Sequence, residues 1–378
     1  MKKILLIILI LFPALSFAQK KSKVPSTYDL IIGTYTTGSS KGIYVYRFYT
    51  ETGKVAYLSQ IEGIKNPSYV CVSKNNKFVY AVNENDGEGE VTSFKFEPNE
   101  GKLTLLNKQP SGGNGPCYIS VDDDQKNVFV ANYGSGVLGV FPVNKDGSLN
   151  PASQLIQDKG KGPDTSRQKG PHAHMAQLTP DEKYLFLVDL GTDKLNIFRY
   201  HSSKAQPLTP ADPAFVSVKP GNGPRHFAFT PDRKFVYLLQ EMGSTLTAYS
   251  YDGGKLKQLQ SVEMLSKNFK GTNGAGAIHI SPNGKFLYAT DRLDASALFA
   301  YSINQETGEL SFISRYSTFG KNPRDFAIDP TGNYLLVANQ SSDSIYEYKI
   351  DQNNGRLNQT PLKVEMGNPV CLKFTAAE

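Results

Sequence analysis

A unit of roughly 50 residues recurs along the whole chain, and no other feature limits the fold so tightly. Its core reads Lys-aromatic followed by apolar residues: Lys77-Phe78-Val79-Tyr80, Lys183-Tyr184-Leu185-Phe186, Lys234-Phe235-Val236-Tyr237 and Lys285-Phe286-Leu287-Tyr288. Asn127-Val128-Phe129-Val130 and Asn333-Tyr334-Leu335-Leu336 are weaker copies. Another short apolar run precedes each copy, usually opened by a proline (Pro67, Pro116, Pro171, Pro224, Pro323). Turn chemistry separates the two runs, as in Thr179-Pro180-Asp181, Thr230-Pro231-Asp232, Ser281-Pro282-Asn283 and Asp329-Pro330-Thr331. A third run follows, such as Leu195–Tyr200 or Leu246–Tyr251, and then a glycine turn and a weaker fourth run. Units start near Asn66, Gly115, Gly170, Gly223, Ala275, Asn322 and Asn368, at spacings of 46 to 55 residues. The runs are rich in β-branched and aromatic residues, and no helical period persists.

Four short strands per unit predict an all-β, seven-bladed β-propeller with four antiparallel strands per blade. The first and second runs are apolar on both faces, as sheets stacked face to face require. The ends complete each other. Tyr28–Thr34 reads as a second strand with no first strand before it, and Asn368–Phe374 reads as a lone first strand. Pairing the C-terminal strand into the N-terminal blade closes the ring and removes two sheet edges.

The N-terminus carries an address. Lys2 and Lys3, an apolar run from Ile4 to Leu15, and Ser16-Phe17-Ala18 form a secretory signal pattern. Residues 1–18 are therefore expected to be removed, and 19–378 to form one propeller domain in the periplasm or outside the cell. The run is short for a membrane span, so none is expected after cleavage. The formal charge of +6 is interspersed, without the basic block and interleaved aromatics of a nucleic-acid surface. Cys71, Cys117 and Cys371 lie in apolar runs and read as small buried hydrophobes. The sequence does not fix the oligomeric state.

The chain contains no Trp, which sets it apart from WD40 and typical kelch propellers. Ile32-Gly33-Thr34-Tyr35, Gly170-Pro171-His172-Ala173-His174, Val188-Asp189-Leu190-Gly191, Gly223-Pro224-Arg225-His226 and Asn322-Pro323-Arg324 resemble the propeller lactonase family over the whole mature chain. That family includes bacterial propeller-type 6-phosphogluconolactonases and fungal carboxy-muconate lactonising enzymes.

In a blade, the start of strand one lies beside the end of strand two, so both face one channel mouth. Aligned by blade, these positions offer Ser68, Cys117, His174, Arg225, Gly276, Arg324 and Val370, and then Glu84, Tyr133, Leu190, Glu241, Arg292 and Gln340. The resemblance implies His174 (or His172), Arg225, Glu241 and Arg292 as catalytic residues. His172, Arg324 and His226 are counted as substrate-binding. His226, next to Arg225, is expected to point away from it as a supporting group. Either His174 or Glu241 is the expected general base, with arginines holding an acid group. Asp189 and Asp291 are expected to tie turns. Gln157–Gly170, rich in Lys and Arg, is a candidate lid or anion guide.

Two motif matches are set aside. Gly38–Gly42 fits G-x-S-x-G, but a nucleophile elbow needs a strand-to-helix turn. His172 and His174 would need a third metal ligand from another blade, against neighbouring arginines. No metal or cofactor is expected. The expected activity is hydrolysis of an anionic sugar-acid lactone, with a muconate-type cycloisomerase or a non-catalytic propeller binding a glycan or protein as alternatives.

Overall fold

A computed structural model describes residues 25–85 and 87–377; the expected signal segment lies outside them. Seven four-stranded antiparallel sheets form the ring. Blade one is composite: Pro369–Ala376 is its inner strand, followed outward by Thr27–Thr34, Gly42–Tyr49 and Val55–Glu62. Tyr28 pairs with Ala376 and Ile32 with Leu372, so the two ends close the ring as the sequence predicts. The inner strands of blades two to seven are Val70–Val72, Pro116–Val121, Ala173–Leu178, Pro224–Phe229, Ala275–Ile280 and Pro323–Ile328.

The repeat motif is explained by contacts between blades. The second strands, for example Phe235–Gln240 and Phe286–Asp291, are buried along their length, whereas fourth strands such as Lys255–Glu263 are half-exposed. The aromatic residue after each Lys leans on the glycine turn of the next blade. A Cβ on Gly308 would lie 2.4 Å from Phe235, and one on Gly355 would lie 2.4 Å from Phe286. Both glycines have positive φ, 74° and 72°, so side-chain space and backbone geometry select glycine together. Two residues on, the Tyr237 and Tyr288 hydroxyls donate to the carbonyls of those same glycines, at 2.8 and 2.9 Å. The turns between strands one and two repeat as well: Thr179 donates to Asp181 and Thr230 to Asp232, each at 2.6 Å.

Among the described residues no helix is long and apolar enough to cross a membrane. Gly38–Gly42 joins the first two described strands of blade one rather than a strand to a helix. Asp189 does tie its turn, accepting from the backbone N–H groups of His172, Gly191 and Thr192 at 2.8 to 3.0 Å.

Candidate functional site

The inner strands do not run regularly into the channel. Their ladder register shifts between Pro116 and Tyr118, Ala173 and Met175, Pro224 and His226, and Pro323 and Asp325. The residue inside each irregularity is Cys117, His174, Arg225 or Arg324. Prolines open three of these strands and cannot donate to the ladder. An irregularity of this kind re-aims side chains, and here it delivers one residue per blade to the same channel mouth.

Glu241, just beyond the second strand of blade five, is the hub. Its carboxylate accepts from Arg167 (2.7 Å) and Arg225 (3.0 Å), forms an ion pair with Arg292 at 2.8 Å, and His174 Nε2 lies 4.0 Å away. Arg225 is 2% and Glu241 4% exposed. Burial alone would raise the Glu241 carboxyl, but Arg292 and Arg225 outweigh it and hold the group well below the usual carboxylate range. Arg225 is drawn down to about 9 by burial, then by Arg292 and Arg324, and stays cationic at neutral pH. It also donates to the Gly276 carbonyl, where Gly276 leaves room: a Cβ there would lie 2.6 Å from Thr290 Oγ1.

His174 is buried, and burial followed by the Arg225 charge holds its imidazole well below its ordinary value. It is therefore neutral at working pH. Its Nδ1 lies 3.9 Å from Cys117 Sγ. Burial pushes that thiol up, so Cys117 remains an un-ionised, weak donor rather than a nucleophile. His172 precedes the inner strand, stacks on Tyr133 at 4.6 Å, and its Nδ1 is 2.9 Å from the Tyr133 carbonyl.

A second carboxylate stands across the mouth. Glu84 accepts from Tyr35 at 2.7 Å and from Ser68, and Arg324 Nη2 lies 3.7 Å away. The Arg324 guanidinium also sits 5.3 Å from the Tyr35 ring centroid. A cavity of about 630 Å³ opens here, with Tyr35, Glu84, Tyr133 and Gln340 in its walls. Four guanidiniums (Arg167, Arg225, Arg292, Arg324) thus meet two carboxylates around a neutral imidazole, leaving an excess of positive charge.

The sequence-predicted residues His174, Arg225, Glu241 and Arg292 come together, with Arg324 and His172 beside them. Two expectations are corrected. Strand alternation turned His226 away from Arg225, but the irregularity places both in the channel. The His226 ring meets the rings of His174, Tyr118 and Tyr69 at 5.2, 5.5 and 6.1 Å, and Arg225 Nη1 is 3.4 Å from it. His226 therefore lies beneath the mouth as a supporting group. The aligned positions were also expected to face the channel mouth; Arg225 and Glu241 are instead buried in one ion network. Glu84 and Tyr35 had no assigned role, yet they build the second half of the mouth. Arg167 was foreseen only as part of a cationic loop. Among the described residues, no three His, Cys, Asp or Glu side chains gather as a metal site.

A sequence-family profile described as "Lactonase, 7-bladed beta-propeller" matches residues 29–374. The 6-phosphogluconolactonase of Bacillus subtilis is 38% identical over 345 residues, covering 91% of this chain and 97% of the relative. The 6-phosphogluconolactonase of Formosa agariphila is 35% identical over 349 residues, covering 91% and 99%. A solved structure, the periplasmic gluconolactonase of Pseudomonas aeruginosa, superposes with a TM-score of 0.89 at 38% identity, covering 93% of this chain and 100% of the other.

Proposed function

The chain belongs to the seven-bladed β-propeller lactonase family, and from that premise we propose that it hydrolyses a sugar-acid lactone at the mouth built around Glu241. The observation that carries the reading is the surplus of guanidinium charge around a buried, neutral imidazole. Such a site holds an anionic sugar acid and stabilises the oxyanion formed at its ester carbonyl.

The chemistry assigns different work to the two candidate bases. Three arginines hold Glu241 ionised, which makes it a poor proton acceptor. Neutral His174 takes the proton from water as the water oxygen attacks the lactone carbonyl carbon. The imidazolium that forms lies 4.0 Å from the Glu241 carboxylate, which stabilises it. Arg292, 12% exposed at its side chain, is placed to meet the oxyanion. When the tetrahedral intermediate collapses, the bond from carbonyl carbon to ring oxygen breaks and His174 returns its proton to that oxygen. The product is an open-chain hydroxy acid, which loses a proton to solvent at neutral pH. Arg167 and Arg324 hold the remaining acid group. Arg225, bonded to Glu241 and to the Gly276 carbonyl, fixes that carboxylate. These steps need no cofactor.

The substrate class is an aldonolactone, with the 6-phosphorylated form favoured by the extra cations. The Lys2–Ala18 pattern and the periplasmic Pseudomonas relative support a site of action outside the cytoplasm. Comparing D-glucono-δ-lactone with its 6-phosphate in parent, Arg167→Ala and Arg324→Ala tests the assignment. The variants are expected to raise KM for the phosphorylated lactone by about 10- to 150-fold, the loss of a charge-assisted contact, with a much smaller change for the neutral one. Equal losses on both substrates overturn it.

A further inference from the structure

The channel has a second, differently built mouth. At the ends of the inner strands two adjoining cavities of about 380 and 470 Å³ share Tyr69, Tyr118, Gln177 and Lys373 as walls. A layer of rings separates them from the mouth around Glu241: His226 touches His174 on one side and lines the 470 Å³ cavity on the other. We propose that this opposite mouth is a separate binding site for a small hydroxylated carboxylate, anchored by Lys373.

Lys373 comes from the ring-closing strand and turns into the channel. Its Nζ lies 4.4 Å from the Tyr69 ring centroid and donates to the Tyr69 hydroxyl at 2.9 Å. An ammonium has three donors, and this is its one hydrogen bond among the described residues. No carboxylate there comes within 4.0 Å of it; Asp325 is engaged by His279 at 3.2 Å and by the Leu372 N–H at 3.0 Å. A partly buried cation without a contact ion pair calls for an anion or ordered solvent. Beside it, Tyr118 donates to Gln177 Oε1 at 2.8 Å, which orients the amide and leaves its two N–H groups without an acceptor among the described residues. One fixed ammonium and an oriented amide suit the two oxygens of a carboxylate. His279 on the far wall suits a hydroxyl group. Nothing in this placement depends on lactone chemistry at the other mouth.

Titration calorimetry with D-gluconate, and with D-glucose as the uncharged control, tests the proposal. Gln177→Glu is the decisive variant: Gln177 is exposed, and a carboxylate in its place keeps an acceptor for Tyr118 while repelling an anion. Gluconate, but not glucose, is expected to bind an Arg292→Ala protein, whose alteration lies at the catalytic mouth. Adding Gln177→Glu or Lys373→Met is expected to weaken that binding at least about tenfold. In the otherwise unaltered protein, the same two changes should leave melting temperature at the parental value and lactone turnover within about twofold of the parent. Gluconate binding that vanishes with Arg292→Ala, or that survives Gln177→Glu unchanged, overturns the second site. Should Lys373→Met fail to fold, Gln177→Glu decides alone. Loss of lactone turnover in Arg292→Ala bears only on the proposed hydrolysis.

Discussion

Replacing Glu241 by Gln removes one negative charge from among three guanidiniums at 2.7, 2.8 and 3.0 Å. The amide keeps the shape and one acceptor oxygen, so the change is electrostatic. Arg225, 2% exposed, is then a buried cation facing Arg292 without a counter-ion. Breaking a buried pair by removing one partner costs about 3–5 kcal/mol. At about 2 °C per kcal/mol, the lower end of the range for large domains, Glu241→Gln should melt roughly 6–10 °C below the parent. The pH dependence follows from the lowered carboxyl. A group whose folded-state value is depressed contributes stability that is complete above its unfolded value of about 4.3 and is lost as pH falls toward the folded value. The gap between parent and variant should therefore be constant from neutral pH down to about pH 5 and narrow below about pH 4. Scanning calorimetry of both proteins across this range is the assay. Melting within about 1 °C of the parent at pH 7, with no narrowing in acid, refutes the idea that Glu241 neutralises a buried arginine cluster.

Deleting residues after Gly367 removes the inner strand of blade one and should cost the whole ring its cooperative melting transition; a truncated protein that melts like the full chain would falsify closure by that strand. Because His174 is held neutral, the acid limb of kcat/KM should fall below pH 6.5, the ordinary value of the group. A limb at or above 6.5 removes His174 as the proton acceptor. Exported protein should begin near Gln19 when its N-terminus is sequenced, and an intact Met1 in a cytoplasmic fraction contradicts the export reading.

The ring was legible because each blade repeats the same contacts. Lys-aromatic at one position and glycine in the next unit's turn form a single packing device, and Phe235 against Gly308 shows why neither drifts. The broken blade at the termini was legible for the same reason. Much of the mouth followed from aligning equivalent positions, which placed His174, Arg225, Glu241 and Arg292 together. His226 was misdirected because period-two alternation cannot register the irregularity that falls at Arg225 itself and re-aims that side chain. The depth of Arg225 was hidden as well: burial depends on side chains from blades four, five and six meeting, and no local pattern encodes that. Arg167 sits in a loop without a period, so its charge was visible and its reach to Glu241 was not. Glu84 stands in the alignment, and its partner Tyr35 holds the equivalent position of blade one, one residue past Thr34 as Glu84 is one past Asn83; the six positions compared span blades two to seven and do not include it.

Proton release during hydrolysis tests the central claim most directly, since opening a lactone at neutral pH liberates one proton per turnover. Purified parent and His174→Ala proteins are compared on D-glucono-δ-lactone and its 6-phosphate, with melting temperature followed in parallel. The account predicts turnover by the parent and a loss of about 10²–10⁴ in kcat for a folded His174→Ala, the usual worth of a general acid–base group. A parent that opens neither lactone, or a folded His174→Ala that turns over at the parental rate, contradicts it.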